Sequence, residues 1–181
     1  DRSELGLGPL KKTDKILDLG CFDGSFTNRM GLAGVSVVGV DQCDTSIALA
    51  RRKAIEFSTG AEHELHSFDE LEAEPMAKRF ETVTTTDVWE HMRDPGQLVR
   101  VAAKHLLPGG RMLITTPLGA WMRGVVIPWA HPWRWGKEKG LPWICGEPHA
   151  HLHAPSASSV AREFDQDLWE IRNCYAVRST F

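Results

Sequence analysis

Short strands alternating with helices predict an α/β fold, built on a doubly wound, mostly parallel sheet with helices on both faces. Three observations carry this. From residue 15 to about residue 117, short β-branched runs alternate with stretches of helical spacing. The run VSVVGV, ending at Val40, is almost continuously apolar, as suits a strand covered on both faces. The stretch KILDLGCFDGSF, residues 15–26, leads an apolar strand through a glycine turn into a helix. In a doubly wound sheet that turn sits at the carboxyl edge, where ligands bind.

The elements follow in order. Strands are predicted over residues 16–19, 35–40, 82–88 and 111–116. Phe26 and Met30 open the helix after the glycine turn. Asp44 can cap a helix whose apolar face is Ile47, Ala50, Ala54 and Ile55. Asp94, Pro95 and Gln97 resemble a helix start with a capping-box partner. Leu98, Val101, Ala102 and His105 or Leu106 continue its face, and Pro108-Gly109-Gly110 stops it and turns the chain into the next strand. Residues 118–155 break the pattern. They hold five of the seven Trp and four of the eight His, and no clean period survives. A segment of this length is usually functional or disordered, and its Trp content argues against disorder. Ser156 can then cap a short helix carrying Val160 and Phe164, and DLWEIRN and AVRSTF read as two closing strands. The chain is thus read as one domain: a core over 13–117, an insert over 118–155 and a closing unit over 156–181.

Composition narrows the function classes. The chain has 181 residues, 42% hydrophobic and 25% charged, which is ordinary for a globular domain. A net charge of −3 gives no bulk basic character for nucleic acid. No apolar run approaches the ~20 residues of a membrane span, and no signal peptide is visible. The four cysteines form no CxxC. They read as free thiols of a reducing, cytoplasmic compartment, with a pair brought together by the fold as the alternative. Residue 1 is Asp rather than Met, which predicts a chain either processed or excised from a longer protein that can carry further domains.

The glycine turn has the spacing DxGxxxG over Asp18, Gly20 and Gly24. Gly20 permits a tight turn and Gly24 a close backbone approach. Phe22 stands where a dinucleotide fingerprint would have its middle glycine. Asp18 and Asp23 would repel a pyrophosphate and suit a ligand carrying an ammonium or sulfonium, which favours S-adenosylmethionine over NAD. Asp41 closes the second strand, 21 residues after Gly20. An acid there can accept hydrogen bonds from both ribose hydroxyls of either ligand.

Taken in order, ILDLGCFDGSF, VVGVD, FETVTTTDVWEHMRDP and HLLPGGRMLITTP resemble the successive motifs of class I S-adenosylmethionine-dependent methyltransferases. The nearest group methylates small molecules and sugars and carries an EH pair after the fourth strand. The resemblance covers roughly residues 14–117 and resumes weakly at HAHLHAPSASSV. It implies a Rossmann-like sheet of seven strands, the last antiparallel. It implies that Asp18, Gly20, Cys21 and Gly24 line the methionine end, with Phe22 and Asp23 in the same loop. Asp41 would hold the ribose, with Gln42 beside the adenine. The turn Ser67-Phe68-Asp69 would cover the adenine or bond its amine, the family's acid aligning with Ser67 or Asp69. Thr86 and Asp87 would lie under the methyl donor. Two departures stand out. Phe80-Glu81 replaces the family's usual FD, and the short GLGPL stretch, read as extended, stands where the family has a helix closing over the cofactor.

Methyl transfer from a sulfonium is an in-line displacement, so the protein positions the acceptor and manages its proton. For a hydroxyl acceptor on a sugar or small metabolite, His91 is the candidate general base. The competing role is to orient a loop or touch the cofactor. Glu90 is the second candidate, against a structural carboxylate. His149, His151 and His153 share one face if extended. His149 and His151, with Trp121, read as acceptor-pocket residues, and no metal site is assigned because the alternation is not zinc spacing. No Asn/Asp-Pro-Pro-aromatic motif for nucleobase amines is present. The rival classes are a nicotinamide-dependent oxidoreductase, a non-catalytic cofactor-binding module and a protein-directed methyltransferase.

Overall fold

Burial follows the apolar runs. The structure is a computed structural model and describes residues 13–116 and 156–170. Strand β1 (Lys15–Leu19) buries everything from Ile16 to Leu19, and β2 (Ser36–Asp41) buries Val37, Val38 and Val40. Beside them lie β3 (Glu62–Leu65), β4 (Phe80–Thr86) and β5 (Leu106–Thr115), in the order β3-β2-β1-β4-β5. All four pairings are parallel. β1 is central, which explains why its sequence is apolar on both faces.

Helix α1 (Ser25–Leu32) packs beside α2 (Asp44–Glu56), and α3 (Phe68–Ala73) beside α4 (Gly96–His105). Right-handed crossovers put these pairs on opposite faces of the sheet. The larger core joins Leu17, Leu19, Val40 and Val83 to Leu98, Val101 and Ala102 of α4, with Trp89 and Phe80. A smaller one under α1 holds Ile16, Met30 and Val37. The chain winds from β1 out to β3, then returns across the sheet to β4. The β1–β4 boundary is therefore the topological switch point.

Several sequence expectations are corrected. In α2, Ile47 and Ala50 are buried, but Ile55 is 80% exposed. It lies one step of about 100° past Ala54 and leaves the sheet-facing stripe. Asp44 is the first helical residue, not the cap, which is Cys43. At α4, Gln97 makes no capping box. Its amide reaches α3 instead, 2.6 Å from Asp69 Oδ1 and 3.1 Å from Glu72 Oε2. α4 ends at His105, before the Pro-Gly-Gly. In the β4–β5 register Phe80 faces Leu106 and Thr82 faces Arg111, so Pro108-Gly109-Gly110 bulges out of the ladder. β4 begins and ends two residues earlier than expected, and Asp87, with φ 54°, closes it.

β3 and α3 carried no legible signal. Glu62-His63-Glu64-Leu65 buries only His63, and Lys78 holds both glutamates of this strand. Ser67 caps α3 through a capping box with Glu70. The predicted cap at Ser156 is present and starts α5 (Ala157–Ala161). The DLWEIRN strand is not formed over its described part. Asp165 accepts the amides of Asp167, Leu168 and Trp169 in a turn, and Trp169 stacks edge-on to Phe164 at 5.3 Å. Cys21 is a free buried thiol. Among the described residues no helix is long and apolar enough to cross a membrane. The GLGPL stretch, the insert with Trp121, His149, His151 and His153, the rest of DLWEIRN and the AVRSTF run expected as closing strands lie outside the described residues.

Candidate functional site

At the carboxyl edge of β1, Gly20 (φ 74°) turns the chain, and the amides of Gly20 and Cys21 both donate to Val40 O, at 2.8 and 3.0 Å. Phe22 then takes φ 49° and donates its amide to Asp41 Oδ2 at 2.9 Å. Asp41 Oδ1 accepts the Cys43 amide at 2.9 Å. One carboxylate thus ties the glycine loop to the start of α2. Asp41 remains partly exposed, and Phe22 and Gln42 beside it are exposed. Each carboxylate oxygen keeps a lone pair for a further donor. Gly24 (φ 70°) caps α1 and accepts the Asn28 amide at 2.8 Å.

Both loop acids have partners within the protein. Asp18 is buried beneath the loop, accepting from Thr27 Oγ1 at 2.5 Å and Thr84 Oγ1 at 2.9 Å. Burial outweighs those hydrogen bonds and pushes its pKa up to about 6. Asp23 pairs with Lys53 Nζ at 2.5 Å and accepts the Ser25 amide at 3.1 Å. The free negative field expected from these two acids is therefore largely spent inside the protein.

Asp18 makes a stability prediction. In the unfolded chain it ionises near 3.8, in the folded one near 6. Its contribution is fully present below pH 3.8 and is lost as pH rises through about 6. Asp18→Asn, which keeps the shape, is expected to gain on the wild type by up to about 3 kcal/mol between pH 4 and pH 7.5. Urea unfolding of both proteins at the two pH values measures this. A constant difference would disprove it.

The adenine-turn residues are also engaged elsewhere. Ser67 Oγ accepts the Glu70 amide, Asp69 Oδ1 accepts from Gln97, and Phe68 packs against the large core. The Ser67-or-Asp69 alternative therefore finds neither side chain uncommitted. Thr86 and Asp87 do reach the carboxyl edge, and Asp87 is exposed there. A 3₁₀ turn, Trp89–His91, follows. His91 is half-buried on it, its side chain 29% exposed. Glu90 is fully buried, with Oε2 accepting from Thr116 Oγ1 at 2.9 Å and Oε1 4.0 Å from His91 Nε2, and burial holds its pKa above the carboxylate range. Sequence reasoning missed Thr27, Thr84, Lys53 and His63. His63 lies buried under Gly24, and neither ring nitrogen has a hydrogen-bond partner. Polar residues in strands and helices carry no motif, so only their tertiary neighbours reveal them.

A glycine loop and a partly exposed acid thus meet at the switch-point edge of a Rossmann-like parallel sheet, the place where folds of this class bind ligands. A family model described as a methyltransferase domain matches residues 2–168, and the chain belongs to that family. The ubiquinone biosynthesis O-methyltransferase of Idiomarina loihiensis is 29% identical over 154 residues, covering 83% of this chain and 59% of that protein. Its namesake from Pseudomonas syringae pv. tomato is 31% identical over 102 residues, covering 56% and 44%. The chain thus spans about half the length of these curated relatives. In fold it is similar to an S-adenosylmethionine-dependent methyltransferase from Clostridium acetobutylicum (TM-score 0.54, 17% identity, covering 62% of this chain and 46% of that one). It is similar also to the glycopeptide N-methyltransferase MtfA in complex with S-adenosylmethionine (TM-score 0.55, 19% identity, 65% and 52%).

Proposed function

We propose that the chain carries the cofactor-binding and catalytic core of an S-adenosylmethionine-dependent O-methyltransferase acting on a small-molecule hydroxyl. The observation that carries the cofactor reading is Asp41. Its carboxylate is held by two backbone amides at the sheet edge, beside the exposed Phe22 and Gln42. These residues fit a nucleoside: the carboxylate takes ribose hydroxyls, and Gly20, Cys21 and Gly24 shape the loop toward the methionine end. When bound, the cofactor supplies an electrophilic methyl group on a sulfonium.

The chain's own contribution is acceptor positioning and proton removal. We assign His91 as the base that takes the hydroxyl proton while the oxygen–methyl bond forms and the sulfur–methyl bond breaks. Its support is a half-buried imidazole on the turn that follows β4 and Asp87, 4.0 Å from Glu90 Oε1. The relatives' name, O-methyltransferase of ubiquinone biosynthesis, favours an oxygen acceptor on a small molecule. A sugar hydroxyl remains in the tested set. Trp121, His149 and His151 are assigned to the acceptor side on the sequence reading alone.

His91→Ala is expected to lower kcat by about a hundredfold or more while leaving S-adenosylhomocysteine affinity little changed. Tritiated-methyl transfer to phenol, sugar and peptide pools, with calorimetric titration of the product, measures both. Unchanged turnover removes His91 from the reaction. Cofactor binding without transfer to any pool would replace the enzyme reading by that of a binding module.

A further inference from the structure

The glycine loop is gripped from α2 as well as from β2. Lys53 lies in the third turn of α2, nine residues after its first residue. Its ammonium reaches the start of α1, 2.5 Å from Asp23 Oδ2 and 3.2 Å from Ser25 Oγ. Asp23 Oδ1 in turn accepts the Ser25 amide at 3.1 Å. Both side chains of the pair are three-quarters buried or close to it, at 28% and 25% exposure. The pair is therefore screened less than a rim ion pair.

Around it, the α1–α2 interface is held by Asn28 Nδ2 donating to Ala50 O at 3.2 Å, and the loop is tied to β2 by the Phe22 amide donating to Asp41. Phe22 and Gly24 flank Asp23 and both take positive φ, which glycine adopts freely but which Phe22 holds only with support from outside the loop. Asp41 supports the Phe22 side. Lys53 supports the Asp23–Ser25 side, where α1 begins.

We infer that Lys53 is a positioning residue of the cofactor loop: by clamping Asp23 and Ser25 it holds the Gly20–Gly24 turn in the shape that receives the cofactor's amino-acid end. It also neutralises Asp23, so that this acid does not repel the carboxylate of that end. The inference rests on the cofactor reading above, and its test separates the two.

S-adenosylhomocysteine is titrated calorimetrically into wild type, Lys53→Met, Lys53→Arg, Asp23→Asn and the Lys53→Met/Asp23→Asn double variant. The thermal midpoint is recorded for each. Lys53→Met is expected to weaken binding by about five- to tenfold, as loss of a partly buried pair allows. The thermal midpoint should move little. Lys53→Arg should recover most of the affinity. The double variant should bind no more weakly than Lys53→Met alone, because one interaction is removed once. With the full enzyme, the loss should fall on KM for the methyl donor and spare kcat. Wild-type affinity in Lys53→Met, additive losses in the double variant, or equal loss in Lys53→Arg would each overturn the inference alone. Absence of binding by the wild type would overturn the cofactor reading, and this inference with it.

Discussion

Gly24→Ala is expected to destabilise the protein by about 2–5 kcal/mol at the cofactor loop. At φ 70° a side chain costs about 1–2 kcal/mol. The new Cβ would also lie 2.7 Å from Ala50 Cβ, 2.7 Å from His63 Nε2 and 2.9 Å from Asn28 Nδ2. None of these can retreat easily. Ala50 is fully buried on α2, His63 is enclosed on β3, and Asn28 is held by Ala50 O and Thr59 Oγ1. Overpacking of this kind adds about 1–3 kcal/mol. The total of about 2–5 kcal/mol is large against the usual stability of one domain. Gly34→Ala is the control. It has a similar φ of 80° with nothing within 4 Å of the added carbon, so it should lose the backbone cost alone. Urea unfolding of the two variants isolates the packing contribution. Equal losses would mean that the neighbours of Gly24 give way and that its glycine is needed only for the turn.

Asp41→Ala should cost the most in binding. It removes the acceptor for two backbone amides, Phe22 N and Cys43 N, together with the carboxylate proposed for the ribose. Charge-assisted hydrogen bonds contribute about 1.5–3 kcal/mol each, so affinity for S-adenosylhomocysteine should fall by about a hundredfold or more. Asp41→Asn keeps one amide acceptor and should fall in between. Near-wild-type affinity in Asp41→Ala would move the nucleoside site away from this edge.

These expectations draw unequally on sequence and structure. The glycine turn, Asp41 and the parallel core could be read directly because each is a local pattern. A turn needs particular residues at fixed spacing, and a strand covered on both faces needs an apolar run. β3 is an edge strand with one buried residue, so its four residues gave no period to read. Ile55 was misassigned because spacing defines a stripe only to within a residue, and the sheet meets only part of it. Gln97 had the right residue type for a capping box, but α3 lies close enough to compete for its amide.

By itself, the order of the residues determined the winding of the sheet, the glycine turn at its carboxyl edge and the acid that closes the second strand. Those follow from backbone preference and hydrophobic periodicity, which act over a few residues. Only the tertiary structure decided what the other acids do. Asp18 and Asp23 look alike on paper, yet one is sunk under the loop between Thr27 and Thr84 and the other is matched to Lys53, thirty positions away. A carboxylate's charge state and reach depend on what surrounds it in space, and burial and through-space partners have no counterpart in residue order.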